Sequence, residues 1–265
     1  MFHSVTICGK NTWSDFLMVP SDGIVLPPAP EQKRTTIDLK TGNGVLDVST
    51  LLTGYPVFQN RSGDLKFYIL EPWEAYQYEG RDIPFHGLPS AYEIYELLLE
   101  YWHGRKGKMI FEDDPNWYYQ GYYTVSNMDT TGIRRSVTIH YEVEPYKYAI
   151  SSTSIQLTGI GLDYESSANW VNHEFLRTEL GHAPVCPEFI VHGTFSEGEK
   201  AYIRIVGDHL KKHARAKAVL EPGNYKWADM FFAPDWSVVH EYDYAFGINA
   251  NSDITVKVEF NKGRL

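Results

Sequence analysis

Hydrophobic and polar positions alternate along much of this chain, and one short stretch replaces that rhythm with a helical one. From Arg134 to Glu144, the residues Val137, Ile139, Tyr141 and Val143 alternate with Ser136, Thr138, His140 and Glu142. A strict period of two predicts a strand with one buried face. Pro145, which lacks an amide hydrogen, is expected to end it. A hairpin precedes this strand: Lys108–Glu112, a turn over Asp113, Asp114, Pro115 and Asn116, then Trp117–Ser126. Proline presets φ for a turn position, and Asp and Asn bond their own backbone there. Ser4–Cys8, Thr35–Leu39 and Asp64–Leu70 are the remaining strand candidates of the first half.

The helical rhythm predicts a helix over Ala91–His103. Ser90 and Glu93 have the spacing of a capping box, in which the hydroxyl accepts from a first-turn amide and the carboxylate reaches back. Ile94, Leu97, Leu98 and Tyr101 follow at helical spacing and are expected to lie on the sheet. Gly104 stands where a left-handed residue would close the helix.

The second half also reads as β-structure. Phe189–Phe195, Ala201–Val206 and Ile254–Phe260 are apolar or alternating runs; in the last, Ile254, Val256, Val258 and Phe260 share one face. Glu221, Pro222, Gly223 and Asn224 predict a turn. No helical pattern separates these runs, which suggests a β-sandwich. Composition shifts near Tyr148, and Ser151–Ser154 reads as a linker. The expected organisation is mainly β: a domain over 1–150 with one α-helix, and a β-sandwich over 151–265.

Composition narrows the function. The 265 residues are 43% hydrophobic and 22% charged, as in a folded globular protein rather than a disordered or fibrous one. Aromatics reach 15%, which suits pleated surfaces and subunit interfaces. Net charge is −10, so neutralising nucleic-acid phosphates or gripping an anionic membrane is disfavoured. The N-terminus lacks the basic and apolar regions of a signal peptide. No apolar run approaches the ~20 residues of a membrane span, and a soluble protein made in a cytoplasm is expected. Cys8 and Cys186 lie far apart in sequence, without zinc-type spacing, and read as buried free thiols rather than a disulfide.

Candidate chemistry is sparse. Glu112, Asp113 and Asp114 have the charge to hold a divalent cation, but no EF-hand spacing surrounds them, and a solvated turn is the plainer reading. His209 and His213 have the i, i+4 spacing of helical metal ligands without the glutamate of a metalloprotease motif. Cys186 with His182 or His192 resembles a nucleophile–base pair, yet Pro187 and a strand follow directly. Trp227, Trp236, Tyr242 and Tyr244 are candidates for stacking on sugar rings, or for core packing. No phosphate-binding, dinucleotide or nucleophile-elbow motif is present. No catalytic, cofactor-binding or metal residue is therefore assigned, and no cofactor is expected.

One ordered set of motifs spans the first half. It comprises Asn11, Trp13, Asp15 and Pro20; Pro27, Pro28 and Pro30; Gly42, Gly44, Leu46, Asp47, Thr50, Thr53 and Gly54; Asn60, Arg61 and Gly63; and His103–Lys106 after the helix. Glu112–Gly121 and Glu144–Tyr148 complete it. This order resembles the distal tail protein family of siphophages and related prophages of Gram-positive bacteria. The resemblance covers about residues 1–150. Gly181, Pro184 and Pro187 before the later strands look like the family's galectin-like C-terminal domain, which makes the first half its split-barrel belt domain.

The resemblance implies a virion structural protein at the tail tip, or baseplate, and no enzyme. Family members form a hexameric ring joining the tail tube protein above to the tail-associated lysin or hub protein below. A tape-measure protein is a further expected partner, receptor-binding or baseplate proteins attach outside, and DNA passes through the lumen. Two readings stay open beside it: a host-surface lectin using the C-terminal sandwich, and a hub component of a contractile phage-tail-like particle.

Overall fold

The computed structural model describes residues 3–23, 26–39, 44–51, 56–71, 74, 89–132, 134–161, 170–175, 177–181, 183–207, 215–230, 232 and 244–265. In the first half these form β1 (Val5–Ile7), β2 (Lys10–Asn11), β3 (Met18–Pro20), β4 (Thr36–Asp38), β5 (Val45–Asp47), β6 (Arg61–Ile69), α1 (Ala91–Trp102), β7 (Arg105–Phe111), β8 (Trp117–Val125) and β9 (Arg135–Ala149). The second half adds β10 (Thr153–Thr158), β11 (Val171–Phe175), α2 (Arg177–Leu180), β12 (Glu188–His192), β13 (Ala201–Gly207), β14 (Arg215–Val219), β15 (Gly223–Tyr225), β16 (Tyr244–Asn249), β17 (Thr255–Phe260) and β18 (Gly263–Arg264). The fold is mainly β. Two compact units emerge: Met1–Lys33 with Phe58–Lys147, and Arg34–Val57 with Tyr148–Leu265.

In the first unit one curled sheet runs in the order β2-β1-β7-β8-β9-β6-β3. The period of two places Val137, Ile139, Tyr141 and Val143 of β9 in the core with Leu65, Phe67 and Ile69 of β6. Helix α1 closes this core. Ser90 and Glu93 form the capping box, with the Ser90 amide donating to Glu93 at 2.7 Å and the Glu93 amide donating to Ser90 Oγ at 3.4 Å. Gly104 adopts φ +71°, the left-handed conformation anticipated after the helix.

Two expectations for this unit are corrected. The buried stripe of α1 is Ala91, Ile94, Leu98 and Trp102, while Leu97 and Tyr101 sit half-buried at its margins. Trp102 decides the rotation: its indole N–H donates to Ile7 O at 2.8 Å, so the largest side chain of the helix is buried with its polar atom satisfied. Pro145 does not end β9. The ladder with β6 stops at Arg61↔Val143, so the missing amide of Pro145 takes no rung from that neighbour.

The second unit holds two four-stranded antiparallel sheets, β10-β17-β12-β15 and β11-β16-β13-β14, around one shared core. Ile254, Val256, Val258 and Phe260 all point into it, as their alternation predicts. Phe175 packs edge-on to Phe232 and Phe260 at 5.1 and 5.5 Å. The run from Phe189 stops at His192 because Gly193 turns at φ +129°, where a Cβ would meet Asp253 O at 2.2 Å. Of the serine-rich stretch read as a linker, Thr153 and Ser154 already belong to β10, paired with Phe260 and Glu259. The last residues of β9 fall in this unit, where the Ala149 amide donates to Lys262 O at 2.9 Å. Helix α2 has no counterpart in the hydrophobic pattern; at four residues it is too short to show one. Among the described residues no helix is long and apolar enough to cross a membrane.

Candidate functional site

The structure brings much of the ordered motif set together around Arg61, at the start of β6. This side chain is 5% exposed. Its Nε donates to Pro145 O at 2.7 Å, and its Nη1 donates to Pro28 O at 3.0 Å and Pro27 O at 3.3 Å. The guanidinium also lies 5.5 Å from the centroid of the Tyr119 ring. A planar fork of donors thus holds two separated chain segments, Pro27–Pro28 and Pro145, by their carbonyls, work that a lysine ammonium does poorly. Burial pulls the Arg61 pKa down, opposed by the neighbouring Tyr119 and Tyr141, but a guanidinium keeps its proton. Burial likewise pushes the Tyr119 and Tyr141 phenols up.

The neighbouring motif residues serve close approach. A Cβ on Gly63 would meet the Tyr141 hydroxyl at 2.4 Å, and one on Gly121 would meet Glu142 O at 2.1 Å. Asn60 Nδ2 donates to Glu142 at 3.0 Å, and Phe58 meets Tyr146 edge-on at 6.0 Å.

The N-terminal motif is a second polar node. Asn11 Oδ1 accepts the amides of Trp13 and Ser14 at 2.9 and 3.1 Å, while its Nδ2 donates to the hydroxyls of Ser4 and Thr6. Asp15 accepts the Asn11 amide at 2.8 Å. Thr12, fully buried, accepts the Val5 amide through Oγ1 at 2.9 Å. These side chains fix the turn between β2 and β3.

The acidic turn proves occupied by its own chain. Glu112 accepts from the Ser4 amide at 2.9 Å and from its hydroxyl at 3.2 Å. Asp113 lies 2.9 Å from His3 Nδ1, and Asp114 pairs with Lys147. Among the described residues, no group of three or more His, Cys, Asp or Glu is arranged to hold a metal ion.

On β7–β9, cations lie over aromatic rings. Lys108 is 4.2 Å from the Tyr118 ring and Lys147 is 5.3 Å from that of Trp117. Lys106 is 5.8 Å from the Tyr122 ring and 3.7 Å from Glu144. Such pairs stiffen a surface rich in tyrosine, the composition favoured at protein interfaces.

The other sequence candidates separate. Cys8 and Cys186 are free thiols; burial pushes the Cys8 thiol up, with Arg105 opposing. Cys186 Sγ donates to Trp227 O at 3.3 Å, which spends the thiol on a structural contact. His192 is exposed at the end of β12. Trp227 stacks on Tyr225 at 5.4 Å and packs against the sandwich core, and Tyr244 is buried against Phe232. Both are packing residues. His182, His209, His213, Trp236 and Tyr242 lie outside the described residues.

Sequence reasoning overlooked two features. Arg61 appeared only as a motif letter, because nothing local marks an arginine as buried. The β4–β5 hairpin is the second: only Thr35–Leu39 reads as a strand candidate, although Ile37 and Leu39 alternate with polar neighbours on one side of Gly44, and Leu46 and Val48 flank Asp47 on the other.

No family model matches the chain, and no curated protein matches it. Among solved structures it is similar to the crystal structure of SPP1 Dit (gp 19.1), described as a paradigm of the hub adsorption apparatus in phages infecting Gram-positive bacteria. The likeness covers 100% of both chains with a TM-score of 0.57 and 11% sequence identity. The chain therefore has a Dit-like fold from end to end.

Proposed function

We propose that this chain is a structural protein of a phage tail tip, a distal tail protein that forms a hexameric ring. The ring joins the tail tube to the tail-associated lysin or hub, with a tape-measure protein as a neighbour. It carries receptor-binding or baseplate proteins outside and leaves a central passage for DNA. Residues 1–150 form the ring-building belt, and 151–265 a galectin-like sandwich at its periphery.

The observation that carries this reading is the end-to-end structural likeness to a phage hub protein. The motifs that resemble the distal tail family reinforce it, because Pro27, Pro28, Arg61, Tyr119 and Pro145 meet at one buried point. Charge fits as well. A ring of six multiplies the −10 of each chain sixfold, and an acidic lumen repels a phosphate backbone rather than holding it. One heterologous contact repeated round a closed ring suffices for assembly.

The reading is tested by negative-stain images and light scattering of the purified chain, with and without its tail tube protein. Closed six-fold rings are expected. Since like-charged copies repel, salt favours them, the Debye length falling to about 8 Å at physiological ionic strength. An open, polydisperse series of oligomers, or a strict monomer even with the tube protein present, overturns the ring. The chain is also expected not to clear peptidoglycan, and a chelator is expected to leave its melting temperature unchanged; a drop of several degrees would restore a metal site.

A further inference from the structure

We propose that the outer face of the β11-β16-β13-β14 sheet binds an acidic sugar, with Arg204 taking its carboxylate or phosphate. The inference goes beyond the ring reading, since it concerns the sandwich of each single chain. Ile203 and Ile205 of β13 are buried in the core, so Tyr202 and Arg204 stand on the outer face. The register carries that face across the sheet: Asn172 lies opposite Gly247, Gly247 opposite Arg204, and Arg204 opposite Ala216. A Cβ on Gly247 would stand 3.0 Å from Arg204 Nε, 3.2 Å from its Cγ and 2.4 Å from Asn172 Oδ1. The glycine thus lets the arginine lie flat across β16 and reach Trp170, whose ring centroid is 4.0 Å from the guanidinium. Asn172 fixes the plane of the fork. Its Oδ1 accepts from Arg204 Nη2 at 2.9 Å, while its Nδ2 donates to Trp170 O at 3.2 Å.

The fork is held in place and left without an acid. Among the described residues no carboxylate pairs with Arg204; Glu174, one step along the same face and opposite Ala245, makes no bond to it. Burial pulls the Arg204 pKa down with no acid opposing, and the guanidinium keeps its proton. Its Nε is covered and its Nη2 is engaged with Asn172, which leaves Nη1 open to an acceptor. A guanidinium already fixed on an indole has little freedom left to lose when it takes a carboxylate or phosphate. The surroundings favour a sugar. Gly247, Ala245, Ala216 and Ala218 make a low floor beside Tyr202, and among the described residues this face lacks the large apolar centre on which a protein partner depends. A sugar acid needs one charged anchor and a shallow shelf. Nucleic acid needs clustered cations, which this acidic chain does not gather around Arg204.

The test uses the full-length chain, 15N-labelled, and follows the indole signal of Trp170, assigned with Trp170→Phe. Glucuronate and glucose 6-phosphate are the probes, with glucose, acetate, inorganic phosphate and an acetylated glutamate dipeptide beside them. At least one acid sugar is expected to move the signal, with half-saturation near about 1 mM for a single anchor on an open face, and glucose to leave it in place. Arg204→Met is expected to weaken that binding at least about tenfold, and Arg204→Lys nearly as much, because lysine lacks the fork. Glu174→Gln removes a neighbouring like charge and is expected to tighten binding about two- to fivefold. A merely structural Arg204 would not give that gain, and the variant keeps the test decisive where the Arg204 variants fail to fold. A signal that neither acid sugar moves, or that still responds without Arg204, overturns the site. An equal response to acetate or inorganic phosphate reduces it to a bare anion contact, and a stronger response to the dipeptide makes it a protein contact; either overturns the sugar. None of these outcomes bears on ring assembly, which is read separately.

Discussion

The first unit depends on a buried arginine, a glycine against the Tyr141 ring, a glycine against the β9 backbone and an asparagine with four polar partners, and at each of these places one residue type is strongly favoured. The second unit depends on a shared apolar interior in which Phe175, Phe189, Phe232, Phe246 and Phe260 crowd together with aliphatic neighbours. The two solutions have different tolerances. A fork of donors or a missing Cβ is specified atom by atom, whereas a core accepts many apolar side chains of similar total volume. The contrast is one of degree, because Gly159, Gly181 and Gly193 of the second unit also leave no room for a Cβ beside backbone, but it goes with the more legible order of motifs in the first half.

The largest effect should come from emptying the second core. Phe246 is fully buried, and Phe246→Ala is expected to cost about 3–5 kcal/mol by urea denaturation. Ile203→Leu, equally buried, should cost less than about 1.5 kcal/mol, since volume is kept. If the conservative change were as damaging as the cavity, the claimed tolerance of this core would be wrong.

Next in size is Arg61→Met, expected to cost about 3 kcal/mol, because it removes charge-assisted hydrogen bonds to Pro145 and Pro28 and strands the buried Pro27 carbonyl. Arg61→Lys should recover less than half of that loss, lacking the fork. Full recovery by lysine would mean that charge alone matters, and the contrast between the units would blur. Hydrogen exchange should report the Arg61 loss in β6 and β9.

Gly121→Ala is expected to cost about 1–3 kcal/mol, since its Cβ runs into the backbone of Glu142 and Val143 and neither end is a flexible side chain. A neutral outcome would show that β8 and β9 separate readily. The smallest effect belongs to Ser90→Ala at the start of α1, about 1 kcal/mol for a lost cap. A loss of more than twice that, followed by circular dichroism, would make the cap more than a local device.

What the sequence disclosed follows the same divide. Period-two alternation located β9 and β17, because burial of one face is written directly in residue order, and the turn over Asp113–Asn116 placed β7 and β8 on either side of it. The capping box located the start of α1 for an equally local reason. The expected stripe is off by one position at its end, since Tyr101 and Trp102 are both aromatic and the distant Ile7 carbonyl satisfies the buried indole of Trp102. Pro145 misled for a similar reason: its effect on a strand depends on whether a neighbour needs its amide, which is a property of register. The functional features were least legible. Arg61 is buried by segments more than thirty and eighty residues away in sequence. The exposure of Ile37, Leu39 and Leu46 on the β4–β5 hairpin is equally invisible in residue order, since it depends on how distant segments fold.

The pairing of β1 with β7 has a consequence in time. Val5 lies opposite Phe111 and Ile7 opposite Met109, and Ile7 O receives the indole of Trp102. A ribosome adding about 5–20 residues each second reaches Phe111 only about 5–20 s after placing Val5. Until then the Asn11 turn has its local bonds, and β1 has β2 on one edge and nothing on the other. β1 is thus made well before the strand that completes its pairing, so a chaperone guarding nascent chains would meet it in that interval.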